Sequence, residues 1–316
     1  VKGGVVAKSR LSVEWLSGCS GCEFGIVDLH EKLLSVLDEV ELVRMPILMD
    51  TKEYVEAEVG LVTGSIRSEH DIHAAREMRR TCKSIVAFGT CPVYGGPHSS
   101  AYAQSREELL DTAFCHNPST TTTTVPTDVP ALLAGNRPLD SEIKVDAYIP
   151  GCPPHAAYIF DGLLSLLRGT DNKIGPHNVC YHCKRKMVKT DVATLRRAYD
   201  GTFDPDLCFL SQGCVCLGSV TLDRCLSPCM SVGVPCFSCG GPSEAIAIEP
   251  QKDVRTEIAQ RMSHLTKIPY DTIVHEIEQQ AKSHFAYAMA SPIFQQKPTF
   301  LLKKWIRASD KEGGRA

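Results

Sequence analysis

The chain has 316 residues, 43% of them hydrophobic, and a net charge of −3. It can bury a substantial core as one large domain or two ordinary ones, and the charge balance, with no dense basic stripe, excludes nucleic acid as the expected partner. The opening VKGGVVAKSRLSVEWL lacks the apolar run of a secretory signal and a twin-arginine motif, and no stretch reaches the roughly 20 apolar residues of a membrane span, so a cytoplasmic protein without a transmembrane segment is expected.

Residues 11–16 read as a short apolar strand running into SGCSGC. Apolar Ile26, Leu29, Leu33 and Leu37 predict one helix over 24–37. Strand patterns follow at 40–48, 59–66 and 84–88, with a helix at 70–80 between the last two. A fifth strand at 145–149 leads to a helix at 154–167. This alternation predicts an α/β fold with a doubly wound parallel sheet, in which ligands bind beyond the C-terminal strand ends. Residues 94–143 interrupt it, and STTTTTVPTDVP within them is expected to be a surface loop. Past Arg168 the alternation stops. Residues 172–242 are rich in Cys, Gly, Pro and Ser, a composition that needs metal ligation to hold it together. Helices are predicted at 254–265 and 271–289. The end, TFLLKKWIRASDKEGGRA, is expected to pack on a partner subunit rather than lie on a membrane surface. Three parts result: a sheet domain at 1–168, an irregular domain at 169–243 and a helical extension at 244–316.

Fifteen cysteines punctuate this pattern. Cys19, Cys22, Cys91 and Cys152 lie in loops after predicted strands. Cys180, Cys183, Cys208, Cys214, Cys216, Cys225, Cys229, Cys236 and Cys239 fall in the irregular part. Thiolates bind iron–sulfur clusters four at a time, so the cysteines read as three clusters with a few left over, which points to electron transport over distance. Disulfides are disfavoured in a large chain without an export signal. Zinc is the stronger alternative for pairs such as Cys180/Cys183 and Cys236/Cys239, which have CxxC spacing, but the dispersed first four fit it less well. Glycines beside Cys91 and Cys152 allow close approach to a bulky cluster. Cys22 lies near a helix start, and Pro153 suits the first turn of the helix after Cys152. Two positive helix ends would stabilise an anionic cluster and raise its reduction potential. The nine later cysteines are one more than two clusters need, and spacing alone does not name the spare.

The motifs WLSGCSGCEFGIVDLHEKLL, VTGSI, AFGTCPVYGG and IPGCPP, followed by NVCYHC, DLCFLSQGCVCLG and CLSPCMSVGVPCFSCGGP, resemble the small, electron-transfer subunit of a [NiFe] hydrogenase. More narrowly they are similar to the cytoplasmic methyl-viologen-reducing type associated with heterodisulfide reductase. The resemblance spans about residues 10–242 and implies a flavodoxin-like domain and three [4Fe–4S] clusters. It implies a proximal cluster on Cys19, Cys22, Cys91 and Cys152, a medial one on Cys225, Cys229, Cys236 and Cys239, and a distal one on Cys180, Cys183, Cys208 and Cys216. Cys180 stands where exported relatives have a histidine; His177 is a minor competitor. Cys216 is preferred to Cys214 because Gly218-Ser219-Val220-Thr221 matches the family's segment after that ligand. A cysteine at 229, where exported relatives often have proline, implies four irons in the medial cluster. Thr63 replaces an acidic residue common in relatives, which leaves any proton role of that acid in doubt.

The chain therefore reads as a hydrogenase subunit that itself supplies no catalytic residue, relaying electrons from a nickel–iron centre in a separate large subunit. The further acceptor would be an iron–sulfur or flavin protein, such as one of the heterodisulfide reductase system. Glu14, Ser17, Glu23, Thr90 and His155 flank the proximal ligands and are candidates for the large-subunit contact. Cys82 and Cys115 are expected to be buried structural thiols, and His98 and His155 structural histidines. The rival readings are a complex I-type subunit with one cluster, which resembles only the first half and uses adjacent cysteines, and a zinc-stabilised interaction module. A nucleotide-dependent enzyme is disfavoured by the lack of a Walker loop or a GxGxxG after the first strand.

Overall fold

Alternation of apolar residues decides the first half. Leu61 and Val62, and likewise Val86 and Ala87, are neighbours whose side chains point to opposite faces of a strand, and all four are buried. Strands apolar on both faces require a layer of helices on each side. The computed structural model, which describes residues 8–121, 123–170, 175–280, 284 and 286–295, shows this arrangement.

In chain order the elements begin β1 (Ser9–Trp15), α1 (Gly21–Val27), α2 (Glu31–Glu39), β2 (Val40–Arg44), β3 (Ala57–Thr63), β4 (Ile66–Ser68), α3 (Glu69–Thr81), β5 (Cys82–Phe88) and α4 (Thr90–Tyr94). They continue α5 (Arg106–Phe114), β6 (Leu132–Arg137), β7 (Ala147–Ile149), α6 (Ala156–Arg168), α7 (Pro228–Ser231), α8 (Glu244–Ile248), α9 (Val254–Leu265) and α10 (Tyr270–Gln279). Five strands form a parallel sheet in the order β2-β1-β3-β5-β7. The order in which successive strands are added reverses between β1 and β3, the switch point at which doubly wound sheets open a crevice at their C-terminal edge. On one face Val13, Leu61, Val86 and Phe88 pack with Ile26, Val36, Ile159 and Leu163 from α1, α2 and α6. On the other, Val62, Ile85 and Ala87 meet Ala74, Ala75 and Met78 of α3. Each buried Val, Leu, Ile, Phe or Met among them contributes on the order of 2 kcal/mol.

The described residues divide into two compact units. One is drawn from Val1–Gly95, Pro130–Leu133 and Arg137–Gly175 and holds the sheet; the other is drawn from Gly96–Val129, Ala134–Asn136 and Pro176–Ala316. In the second unit α9 packs on α10, and Ile258, Met262, Ile273 and Ile277 on these two helices are buried. No helix among the described residues is long and apolar enough to cross a membrane.

Several predicted elements change. The helix expected over 24–37 is two, α1 and α2, with His30 at φ 52 between them. The strand expected to run to 48 stops at Arg44, because the chain turns through Met45–Leu48, where the Leu48 N–H donates to the Met45 carbonyl (2.8 Å). The strand expected over 59–66 breaks at Gly64, φ 75, and β4 leaves the main sheet to pair antiparallel with β6. α6 begins at Ala156, not near Pro153; His155 is its N-cap and its Nδ1 accepts from the Ala157 N–H (3.2 Å). The predicted helix at 271–289 is α10 as far as Gln279. The 94–143 segment contains α5 and β6 as well as irregular chain. The terminal TFLLKKWIRASDKEGGRA lies outside the described residues.

Candidate metal centres

The sheet's C-terminal edge assembles the first cysteine set. β1 runs into the loop carrying Cys19, and Cys22 lies in the first turn of α1. β5 ends at Gly89, which has φ 101 and no room for a side chain: an added Cβ would lie 2.3 Å from Cys22 Sγ. The next two loops are stitched together. The Gly89 N–H donates to the Ile149 carbonyl (2.8 Å) and the Thr90 N–H to the Gly151 carbonyl (2.7 Å), while Thr90 Oγ1 accepts from the Gly151 N–H (3.0 Å). These bonds bring Cys91 and Cys152 side by side. All four thiols line one recess of about 80 Å³ with Glu23, Thr63 and Thr90.

Electrostatics confirms that the four are neighbours. Burial, and then Cys91, Glu23, Cys152 and Cys19, push the Cys22 thiol far above its ordinary value. Burial first and neighbouring thiols next hold Cys91 and Cys152 at about 12. Without metal Cys22, Cys91 and Cys152 are held protonated, so metal binding to them must release protons.

Two buried acids at this edge were not legible as such. Asp71 accepts from the Ser17 N–H (2.9 Å) and Oγ (2.8 Å), the Arg67 N–H (3.0 Å), and the Ser68 N–H (2.7 Å) and Oγ (2.8 Å). One carboxylate thus anchors both the loop leading to Cys19 and the start of α3. Glu23 is 1% exposed and accepts from the Thr63 hydroxyl through Oε1; its Oε2 has no hydrogen-bond partner among the described residues. Burial raises its pKa, and the Thr63 bond opposes this. Thr63 is thus not itself an acid but holds one, Glu23. The residues expected at the large-subunit contact are partly corrected. Glu14, Glu23 and Thr90 are buried inside the chain, Glu14 in an ion pair with Arg44 (2.9 Å). The large apolar side chains that are exposed here are Trp15 (43%), Phe24 (55%) and Val27 (36%).

The second unit gathers the later cysteines on loops. The Asn178 side chain accepts from the Cys180 N–H (3.1 Å). The Cys208 N–H donates to the Lys186 carbonyl (2.8 Å), joining the loop of Cys208 to the chain after Cys183. Burial raises Cys180 to about 12, with further pushes from Cys216, Cys208 and Cys183; Cys216, raised by burial, feels Cys236 as well as Cys208. Cys214 does not join them. It is buried, and after burial the groups acting on its thiol are Arg196 and Asp200, with no cysteine among them. His177 is stacked on Tyr181, ring centroids 3.9 Å apart.

Cys225, Cys229, Cys236 and Cys239 form a third group. Burial raises Cys236 to about 12, with further pushes from Cys239 and Cys225, and Cys225 in turn feels Cys229. This group adjoins the previous one: the Cys236 N–H donates to Cys216 Sγ (3.2 Å). Of the remaining thiols, Cys82 is buried against Gly60, whereas Cys115 is only half-buried, contrary to expectation.

The donors fit iron–sulfur chemistry: four thiols line one recess at the sheet edge, the later thiols gather on adjoining loops, and a glycine stands at the close approach to Cys22. No group of three or more His, Cys, Asp or Glu side chains among the described residues is arranged to hold a single metal ion.

The chain has well-matched relatives. The family model described as "NADH ubiquinone oxidoreductase, 20 Kd subunit" matches residues 19–166. A subunit of the vhu F420-non-reducing hydrogenase of Methanocaldococcus jannaschii is 40% identical, with 72% of this chain and 80% of the relative covered. The F420-non-reducing hydrogenase iron–sulfur subunit of Archaeoglobus profundus is 31% identical, with 83% and 94% covered. The chain belongs to the family of F420-non-reducing hydrogenase iron–sulfur subunits. Its fold is also similar to a chain in the crystal structure of an NAD+-reducing [NiFe]-hydrogenase in the H2-reduced state, at 31% identity and TM-score 0.52. That match covers 54% of this chain and 96% of the other. Membership of this hydrogenase family disfavours the single-cluster rival, because the relatives match well beyond the sheet.

Proposed function

We propose that this hydrogenase small subunit holds three [4Fe–4S] clusters, with Cys19, Cys22, Cys91 and Cys152 binding the proximal one. Cys225, Cys229, Cys236 and Cys239 would bind the medial one, and Cys180, Cys183, Cys208 and Cys216 the distal one. The observation that carries this reading is the gathering of Cys19, Cys22, Cys91 and Cys152 around one recess, with the later thiols brought together on adjoining loops and Cys214 standing apart from them. When bound, the clusters supply one-electron transfer between a hydrogen-splitting large subunit and a further acceptor. This chain's own residues bind and orient them: Asp71 and Thr90 fix the proximal ligand loops, and burial keeps water from Cys91, Cys216 and Cys236.

The large subunit would cover the sheet's C-terminal edge, where Trp15, Phe24 and Val27 expose apolar surface beside Cys19 and Cys22. The electron-accepting partner would be an iron–sulfur or flavin protein, of the heterodisulfide reductase system or another, and the complex would work in the cytoplasm. The division into 1–168, 169–243 and 244–316 is proposed as the functional one, with cluster-bearing parts followed by an extension.

Iron and sulfide analysis of anaerobically purified protein tests the reading. Three sets of four thiolates imply about 12 iron atoms per chain. Zinc with negligible iron overturns it in favour of a structural zinc module. Co-purification from the native source, with the bound subunits identified, tests the partners.

A further inference from the structure

Two of the three ligand sets lie on adjoining loops, and one buried carboxylate touches both. Asp223 is 1% exposed. Its Oδ1 accepts from the backbone N–H groups of Cys225 (3.1 Å) and Leu226 (3.0 Å). Its Oδ2 is hydrogen-bonded to Nδ1 of His182. Its own N–H donates to the His177 carbonyl (2.8 Å). His182 lies within the Cys180-Tyr-His-Cys183 motif, and Cys225 opens the medial set. A single side chain therefore pins the first turn of one ligand loop and the imidazole inside the other.

The burial is asymmetric. His182 keeps 34% of its side chain exposed, and Tyr181 beside it is 64% exposed, whereas the carboxylate is enclosed. A buried carboxylate is tolerated only when hydrogen-bonded, and these three partners compensate it. Its negative charge acts on the Cys225 thiol and, through the His182 imidazole it holds, stands against the loop between Cys180 and Cys183, in surroundings that screen it poorly. Charge and hydrogen bonding near the sulfurs are levers on cluster potential, and partners behind the ligands tune the metal.

We propose that Asp223 is a positioning residue shared by the medial and distal clusters: it sets both ligand loops, and its charge lowers both reduction potentials. This rests on the assignment of eight cysteines in this unit to two clusters. The Asp–His contact is 41 residues apart in sequence, with no motif to announce it.

The test compares wild type, Asp223→Asn and Asp223→Ala in the intact complex, by iron content and by redox titration followed with electron paramagnetic resonance. Asparagine keeps the size and an acceptor oxygen for the Cys225 N–H, so both clusters should form. With the charge gone, the added electron is less disfavoured, and both potentials should rise. Alanine uncaps both loops, and between about 4 and 8 iron atoms should be lost, one or two clusters' worth. A merely structural residue would lower iron content without moving the potentials of clusters that do form. An asparagine variant with both potentials unchanged, or only one shifted, overturns the shared role. An alanine variant with full iron and wild-type spectra overturns the positioning. Wild type with only one cluster signal overturns the two-cluster assignment itself and the proposal with it.

Discussion

In the sheet unit, the four proposed ligand thiols follow strands of a sheet with apolar layers on both faces, and the bonds that place them are backbone bonds between neighbouring loops. In the second unit, the eight proposed ligands sit on irregular chain between residues 178 and 241, where the regular elements are one turn of α7 and a few 3-10 turns. The loops there are tied by side-chain clamps. Arg185 donates to the carbonyls of Met230 (3.0 Å) and Leu207 (3.0 Å) and lies over the Phe209 ring, while Asp223 ties His182 to Cys225. The first site is built on a scaffold whose core is apolar. The second has much of its stability left to be supplied by ligation, because binding free energy becomes folding free energy where the apo site is poorly ordered.

Removing the iron should therefore give the largest effect and the clearest contrast. After anaerobic chelation, amide exchange protection should collapse across residues 178–241 and persist in β1, β3 and β5. Equal loss of protection in both regions would show that the sheet depends on its cluster as well, and the contrast would fail.

A glycine substitution probes the sheet unit from the other side. At Gly89 a methyl group meets Cys22 Sγ at 2.3 Å, on a backbone with φ 101. Gly89→Ala should thus expel a ligand and lose the proximal cluster, about 4 iron atoms. The strain itself is worth on the order of 1–3 kcal/mol. Circular dichroism should still report the folded sheet, and full iron in this variant would mean that the loop relaxes more easily than the close approach suggests.

Within the second unit the ninth cysteine is the next discriminator. Cys216→Ser should lose the distal cluster, whereas Cys214→Ser should keep all three clusters and cost about 1–3 kcal/mol for burying a hydroxyl in a thiol's place. The sulfur of Cys216 receives the Cys236 N–H, while no cysteine perturbs Cys214. Spectra showing the reverse would exchange the two assignments.

These contrasts also mark what the sequence made legible. Apolar periodicity located β1, β3, β5 and α3, and α9 matched residue for residue, because each buries a continuous apolar face. The placing of Cys19, Cys91 and Cys152 after strands was legible for the same reason. The break between α1 and α2 was not, since no Gly or Pro marks it and the turn at His30 serves packing: α1 lays Gly25 against Ile159, 3.1 Å from an added Cβ. Nor were the long-range ties of Asp71 and Asp223 legible, for Ser17 and His182 lie 54 and 41 residues away, beyond any local pattern. The choice of Cys216 over Cys214 came from a resemblance in the Gly-Ser-Val-Thr register; Cys216 acts on Cys180, whereas no cysteine acts on Cys214.

The smallest expected effect is an acid response that belongs to the sheet unit alone. Asp146 precedes β7, and its Oδ2 accepts from the Ile85 N–H (2.8 Å) and from Arg79 Nη1 (2.5 Å). The Ile85 bond first, and Arg79 and Lys144 after it, hold the carboxyl below its ordinary value against a burial cost. A depressed folded-state pKa means stability that is present above the unfolded value, about 4, and lost as pH falls through the lower folded value. The group is 27% exposed, so the contribution is about 1 kcal/mol or less. Asp146→Asn keeps an acceptor for Ile85 but removes the titration, and should flatten the fall of the sheet's unfolding midpoint as pH drops below the unfolded carboxylate value. The ligand loops respond to acid for another reason: their thiols, raised by burial, compete for protons against iron. Iron release should therefore follow its own pH profile and be unchanged by Asp146→Asn. If the substitution shifted iron release from the second unit as well, the two units would not be responding to acid by separate means.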